Sequence, residues 1–143
     1  MTIHLVKLCV GADRVEDLDA WIEKRVSANR RAGRGAVHDH VTRMTPRRVD
    51  ELLDGGSLYW VIKGVILARQ RIVGFEPVTG ADGIGRCAIL FEPPLIHTEA
   101  QPRRAFQGWR YLKPEDAPAD LDRRRAGETP PALRAKLAKL GLL

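Results

Sequence analysis

Residues 57–75 carry two β-type runs, Leu58-Tyr59-Trp60-Val61-Ile62 and residues 65–75, joined at Lys63-Gly64. Aromatic and β-branched side chains suit a pleated, half-buried surface, and a glycine-bearing dipeptide between such runs is a hairpin signal. A lone hairpin is marginal in water, so the chain must add strands or helices to cover this one. Any fold for this sequence is therefore built on a sheet.

The rest of the chain supplies the partners. Residues 3–10 are apolar in both alternating phases, which predicts a central strand ended by Gly11. Asp13 followed by Glu16 resembles a capping box, with an acidic residue in the Ser/Thr position. Val15, Leu18, Ile22 and Val26 then recur at helical spacing, so residues 14–30 read as an amphipathic helix, with Trp21 bordering its stripe as a core residue. A basic loop with Gly33 and Gly35 leads to a short strand at 37–44. Thr45-Pro46 reads as the start of a second helix, with Thr as N-cap and Pro at the first position. Val49, Leu52 and Leu53 would form its buried face, and Gly55-Gly56 its stop.

Asp82-Gly83-Ile84-Gly85 marks a turn before a strand at 87–91, which Pro93-Pro94 ends. Residues 104–112 make a last strand. Beyond Lys113 the composition shifts to Pro, Asp, Ala and Arg. Thr129-Pro130 begins a terminal helix with Leu133, Leu137 and Leu140 on one side, stopped by Gly141. No internal repeat or low-complexity tract occurs. The expectation is a single α+β domain over residues 1–121, a curled mixed or antiparallel sheet or a small β-barrel flanked by two main helices, with a basic tail at 122–143.

Composition narrows the class. The chain has 143 residues, 44% hydrophobic and 29% charged, which suits one domain with a core and disfavours disorder, collagen and disulfide-dense scaffolds. Cys9 and Cys87 lie inside apolar runs without zinc-site spacing and read as buried, reduced thiols. The N-terminus lacks a basic region followed by a long apolar one, and no apolar run approaches the roughly 20 residues of a membrane helix. A cytoplasmic protein that does not enter membranes is expected.

Several enzyme signatures are missing: no G-x-S-x-G elbow, no Walker phosphate loop, and no G-x-G-x-x-G after a strand. Gly80, Gly83 and Gly85 lie between strands and read as turn residues. No cofactor is implied. His38 and His40 would share one face of a strand within reach of a single ion, with His4, His97 or Glu99 as candidate third ligands; the bland reading is a strand whose polar side carries His.

The arginines say more. The net charge is +6, and residues 23–49 alone carry an excess of six: Lys24, Arg25, Arg30, Arg31, Arg34, Arg43, Arg47 and Arg48 against Glu23 and Asp39. Arg47 and Arg48 would occupy the first turn of the helix capped by Thr45, with Arg43 just before it. Cations there oppose the helix dipole, but free N–H groups and guanidiniums together suit a bound phosphate. Arg69 and Arg71 share one face of the run at 65–75. Arg103, Arg104 and Arg110 surround Gln107, Trp109 and Tyr111, which alternation would place on one side, where an aromatic beside amide and guanidinium groups can stack and edge-bond a base. The competing reading makes Trp60 and Trp109 core residues.

Four segments together resemble one known family: Lys7-Leu8-Cys9-Val10-Gly11, Val41-Thr42-Arg43-Met44, Gly55-Gly56-Ser57-Leu58-Tyr59-Trp60-Val61-Ile62-Lys63-Gly64 and Phe106-Gln107-Gly108-Trp109-Arg110-Tyr111-Leu112. It is the mostly alphaproteobacterial domain-of-unknown-function family fourteen-eighty-nine, and the resemblance spans about residues 1–121 without implying an activity. More loosely, the order strand, helix, strand, short helix, long hairpin is similar to the PUA-like superfamily (PUA, ASCH, EVE and YTH domains), whose small barrels commonly bind RNA; this is analogy of pattern. The expectation is a non-enzymatic module binding RNA or another polyanion. The alternatives are a small metal-dependent enzyme or small-molecule binder at a pocket near His38 and His40, and an interaction module using Arg123-Arg124-Arg125 and the terminal leucines.

Overall fold

The computed structural model describes residues 1–121. Its elements run β1 (His4–Leu8), α1 (Val15–Arg31), β2 (His38–Thr42), α2 (Val49–Leu53), β3 (Ser57–Ile62), β4 (Val65–Thr79), β5 (Gly85–Phe91), β6 (Ile96–Pro102) and β7 (Trp109–Leu112). The strands form one mixed sheet in the order β2-β5-β4-β3-β1-β7, with β6 also paired to β4. β1 runs parallel to β3, and every other pairing is antiparallel. The fold is α+β as expected, and of the two architectures foreseen it is the open sheet and not the closed barrel. The tail helix expected after Thr129-Pro130 and the run Arg123-Arg124-Arg125 lie outside the described residues.

The β3–β4 hairpin forms as its sequence dictates. Lys63 (φ +52°) and Gly64 (φ +80°) make a two-residue turn with both centres left-handed, the turn whose twist matches that of the flanking strands. β4 is long because it serves two halves of the sheet. Its first residues pair with β3 and β6, and residues 72–79 pair with β5, with a register shift between Ile72 and Gly74. Such an irregularity bends a strand and steepens its twist. The bend lets the sheet curl.

The main core lies on the sheet face that α1 covers. Leu5 and Cys9 of the β1 segment, Trp60 and Ile62 of β3, Ile89 and Phe91 of β5, and Leu18 and Ile22 of α1 belong to one buried cluster. A second cluster on the opposite face gathers Val6, Tyr59, Val61, Ile66 and Leu112. Fully burying such a side chain stabilises by about 1.5–3 kcal/mol.

Five local expectations need correction. The α1 cap sits one residue later than Asp13/Glu16 suggests: the Asp17 carboxylate accepts the Asp13 and Arg14 backbone N–H groups at 3.0 and 3.1 Å, so the helix opens at Val15. Trp21 is 43% exposed, because it flanks the buried stripe instead of joining it. The second helix begins at Val49 and not at Thr45-Pro46, since the Arg47 and Arg48 N–H groups are donated to the Tyr111 hydroxyl at 3.0 and 3.2 Å. One short turn buries only one side of itself, so Leu52 is fully buried and Leu53 is 41% exposed. The last strand covers Trp109–Leu112 rather than 104–112, as Gly108 (φ +68°) turns the chain just before it, and a further strand, β6, precedes it unannounced.

Candidate functional site

β2 and β7 stand at opposite ends of the strand order, yet residues of both line one cleft of about 510 Å³ with Val41, Thr42, Arg43 and Met44 on one wall and Gln107, Gly108, Trp109 and Arg110 on the other. Lys7 of β1 closes it. The curled sheet thus brings its two ends face to face, and the cleft is the gap between them. Side chains bridge it: Trp109 Nε1 donates to the Met44 carbonyl at 2.8 Å, and the Tyr111 hydroxyl holds the Arg47 and Arg48 amides.

The lining holds three cations, Lys7, Arg43 and Arg110, and no carboxylate. Arg43 is exposed and makes no ion pair or side-chain hydrogen bond among the described residues. Arg110 is positioned by its Nη1, which donates to the Gln107 carbonyl at 3.0 Å, and by the Phe106 ring 5.6 Å away. Lys7 lies in the phase of β1 that carries Leu5 and Cys9 into the core, so its ammonium is half-buried and burial pushes its pKa down. Val41 (42% exposed) and Met44 (67% exposed) add apolar surface to the rim.

The other expected residues divide. Gln107 and Trp109 share the cleft, although Trp109 is only 9% exposed, its N–H is spent on Met44, and its ring meets Tyr111 edge-on at 4.9 Å. Tyr111 sits beneath the Arg48 guanidinium at 5.4 Å, and Arg48 also pairs with Glu51. The expected phosphate seat at a helix start is therefore absent from this segment: the helix is one turn long and the amides before it already have a partner. Arg103 lies 5.9 Å from Phe106, and Arg104 is exposed nearby. Arg69 is elsewhere, held by Asp120 at 2.8 Å through both Nε and Nη2 and by Ser57 at 2.8 Å, beside His4 and Tyr59. Arg71 is exposed on β4 opposite Ser57.

Part of the 23–49 charge excess is structural. The Asp39 carboxylate, 3% exposed, takes Arg25 at 2.7 and 2.9 Å, the Asn29 amide at 2.9 Å, and Arg34 at 3.5 Å. The Arg25 hydrogen bond above all holds that carboxyl well below the usual carboxylate range.

A smaller pocket of about 120 Å³ adjoins the cleft and shares Lys7 with it; Cys9, Trp21, His38, His40 and Trp60 are among its walls. His38 and His40 do lie together, as alternation requires, but among the described residues no group of three ligating side chains could hold a metal ion. Of the third-ligand candidates, His4 is committed to the Ser57 amide at 3.0 Å, and His97 and Glu99 belong to β6. Burial keeps both pocket imidazoles neutral, lowering His38 and pushing His40 down to about 4. Cys9 and Cys87 are free and buried, and burial pushes the Cys9 thiol up to about 11.

A pocket beside His38 and His40 was among the expectations; Lys7, which lines both cavities, is what sequence reasoning missed. The signal was present: a lysine in the same strand phase as Ile3, Leu5 and Cys9.

Residues 5–143 match the family model described as "Protein of unknown function (DUF1489)". The chain belongs to the DUF1489 family. The match begins at β1 of this DUF1489 chain and continues past the described residues, so it extends beyond the 1–121 suggested by the four segments. No curated protein and no solved structure matches the chain. No helix among the described residues is long and apolar enough to cross a membrane.

Proposed function

We propose that this DUF1489 chain is a non-enzymatic module that binds RNA, or another nucleic-acid strand, along the cleft between β2 and β7. One observation carries the reading: Lys7, Arg43 and Arg110 converge on a single groove whose lining contains no carboxylate. A strand's phosphates need cations in a row, and single-stranded bases need apolar or aromatic surface beside them. Arg43 and Arg110 supply the first, with Arg47, Arg48, Arg103 and Arg104 flanking them. Met44, Val41 and the Trp109 edge supply the second, and the exposed Gln107 amide is free to meet a base edge. The order of elements, similar in pattern alone to that of PUA-like RNA modules, supports the reading as analogy, and a bacterial cytoplasm fits two reduced, buried thiols.

The test is fluorescence anisotropy with a labelled single-stranded RNA of mixed sequence at two salt concentrations. Binding should weaken steeply with salt, and Arg43→Ala and Arg110→Ala should each flatten the log–log slope by about 0.7, the value per phosphate on a single strand. No binding at low salt overturns the reading.

A further inference from the structure

The small pocket beside the cleft has a polar pattern that the surrounding hydrogen bonds define. The indole N–H of Trp60 can only donate, so Gln70 turns its Oε1 toward it at 3.1 Å. The same Oε1 lies 3.0 Å from His38 Nδ1. An amide oxygen only accepts, so the His38 proton sits on Nδ1, and Nε2 of the neutral ring keeps its lone pair. The Gln70 orientation is fixed a second time at its other end, where Nε2 donates to the Glu92 and Pro93 carbonyls at 3.2 and 3.4 Å.

The His40 imidazole has no hydrogen-bond partner among the described residues, and it meets Trp60 edge-on at 5.4 Å. Lys7 brings N–H donors and takes part in no ion pair among the described residues. Trp21, partly exposed, stands at the mouth. Gly11 (φ +90°) lies beside it, and a Cβ added there would be 3.4 Å from the Trp21 ring. The pocket thus offers aromatic walls, imidazole acceptors and an ammonium donor, without a carboxylate. At about 120 Å³ it is well below the roughly 300–1,000 Å³ of drug-sized sites. One ring system fits that description, provided the ring carries both an N–H donor and a lone pair.

We propose that this pocket receives the planar ring of a nitrogen heterocycle of the nucleobase class. The ring comes either from a free nucleoside or from a base of the strand bound in the cleft, and the second source rests on the RNA reading above. Lys7, common to both cavities, would then stand between ring and phosphate. Bases turned out of a stack are commonly held by aromatic faces and by hydrogen bonds to their edges, and this pocket has both.

The two sources are separated by paired measurements on the full chain. In the first, adenosine, guanosine, cytidine and uridine are titrated singly while the indole N–H signals of Trp21 and Trp60 and the ring signals of His38 and His40 are followed by NMR, with ribose 5-phosphate as the ring-free control. In the second, RNA affinity and its salt slope are measured for Trp21→Ala and His40→Ala; Trp21→Ala alters a partly exposed side chain, so it tests the pocket even if His40→Ala unfolds.

A nucleoside that moves these signals in the wild type, with affinity about tenfold lower in Trp21→Ala (the size of one base–aromatic contact), supports the proposal with the free ring as source. Silent nucleosides, with RNA affinity about tenfold lower in Trp21→Ala at an unchanged salt slope, support it with the strand as source. Ribose 5-phosphate moving the same signals equally overturns it. So do silent nucleosides together with unaltered RNA affinity in Trp21→Ala, an outcome that leaves the cleft reading standing. RNA that fails to bind while a nucleoside still moves the signals removes the cleft reading and keeps the pocket.

Discussion

Replacing Gln70 by leucine tests whether the polar network behind the pocket holds the core in register. Gln70 is fully buried in β4. Its Oε1 accepts from Trp60 and His38, and its Nε2 donates to two carbonyls. Leucine is close in volume, so no large cavity opens and the cost is mainly that of stranded polar groups. The four partners differ in how they escape. The Trp60 N–H belongs to a residue only 2% exposed and has nowhere to turn, which costs about 1–3 kcal/mol. His38 can move its proton to Nε2, so its loss is smaller, while the Glu92 and Pro93 carbonyls lie near the surface and can take water. Removing the buried amide itself returns part of the cost. The net expectation is a destabilisation of about 2–3 kcal/mol, read from the midpoint of urea unfolding at an unchanged slope. Gln70→Glu keeps the acceptor for Trp60 and His38 and, when ionised, should raise the His38 pKa, but it sets a carboxylate oxygen against the Glu92 and Pro93 carbonyls and so should be destabilising as well. A Gln70→Leu midpoint within about 0.5 kcal/mol of wild type would refute the reasoning, because the Trp60 indole would then have been satisfied some other way.

Four further outcomes follow from the same geometry. Asp39→Asn removes a carboxylate whose folded pKa lies below its unfolded value of about 3.9, so the stabilisation is complete above that pH and drains away as acid approaches the folded value. The loss at pH 7 should be about 1–3 kcal/mol, reduced from the usual cost of breaking a buried pair because Arg25 and Arg34 reach solvent, and a stability-versus-pH curve should flatten below pH ~5. His40 charges at about 4 in the folded chain and near 6.5 unfolded, so stability should fall as the pH drops between these values; NMR titration of His40 near 6.5 would contradict its burial. Gly56→Ala would set a Cβ 2.3 Å from the Leu52 carbonyl oxygen and 2.4 Å from that of Ile3, so thermal unfolding should show a loss of more than about 2 kcal/mol, whereas Gly85→Ala meets nothing within 4 Å and should change little. Tyr111→Phe frees the Arg47 and Arg48 amides at an exposed site, and chemical unfolding should register about 0.5–1.5 kcal/mol.

What could be read from the sequence was what short stretches of chain decide. The β3–β4 hairpin was legible because Lys63-Gly64 prescribes its own turn, and α1 because Val15, Leu18 and Ile22 repeat at a helical period. β6 was not, since His97, Thr98, Glu99 and Gln101 offer no apolar alternation and the strand exists by pairing with β4. The start of α2 depended on a hydroxyl 63 residues away. The site shows the same division. Arg43, Gln107, Trp109 and Arg110 stood out as residue types, but their meeting required the ends of the strand order to come together. The inward phase of Lys7 was written in β1 and went unread because one lysine in an apolar run looks like an ordinary interruption.

The bend in β4 has a consequence for how the protein behaves in a crowd of its own copies. An end strand normally presents unpaired amides and carbonyls on which another chain can add a strand. Here the two end strands, β2 and β7, confront each other across a cleft that is cationic and spanned by the Trp109–Met44 bond. An incoming segment would have to displace that bond and bring its own backbone between Lys7, Arg43 and Arg110. A second copy is equally basic there, so adding its β2 or β7 edge at this cleft would set like charges against each other.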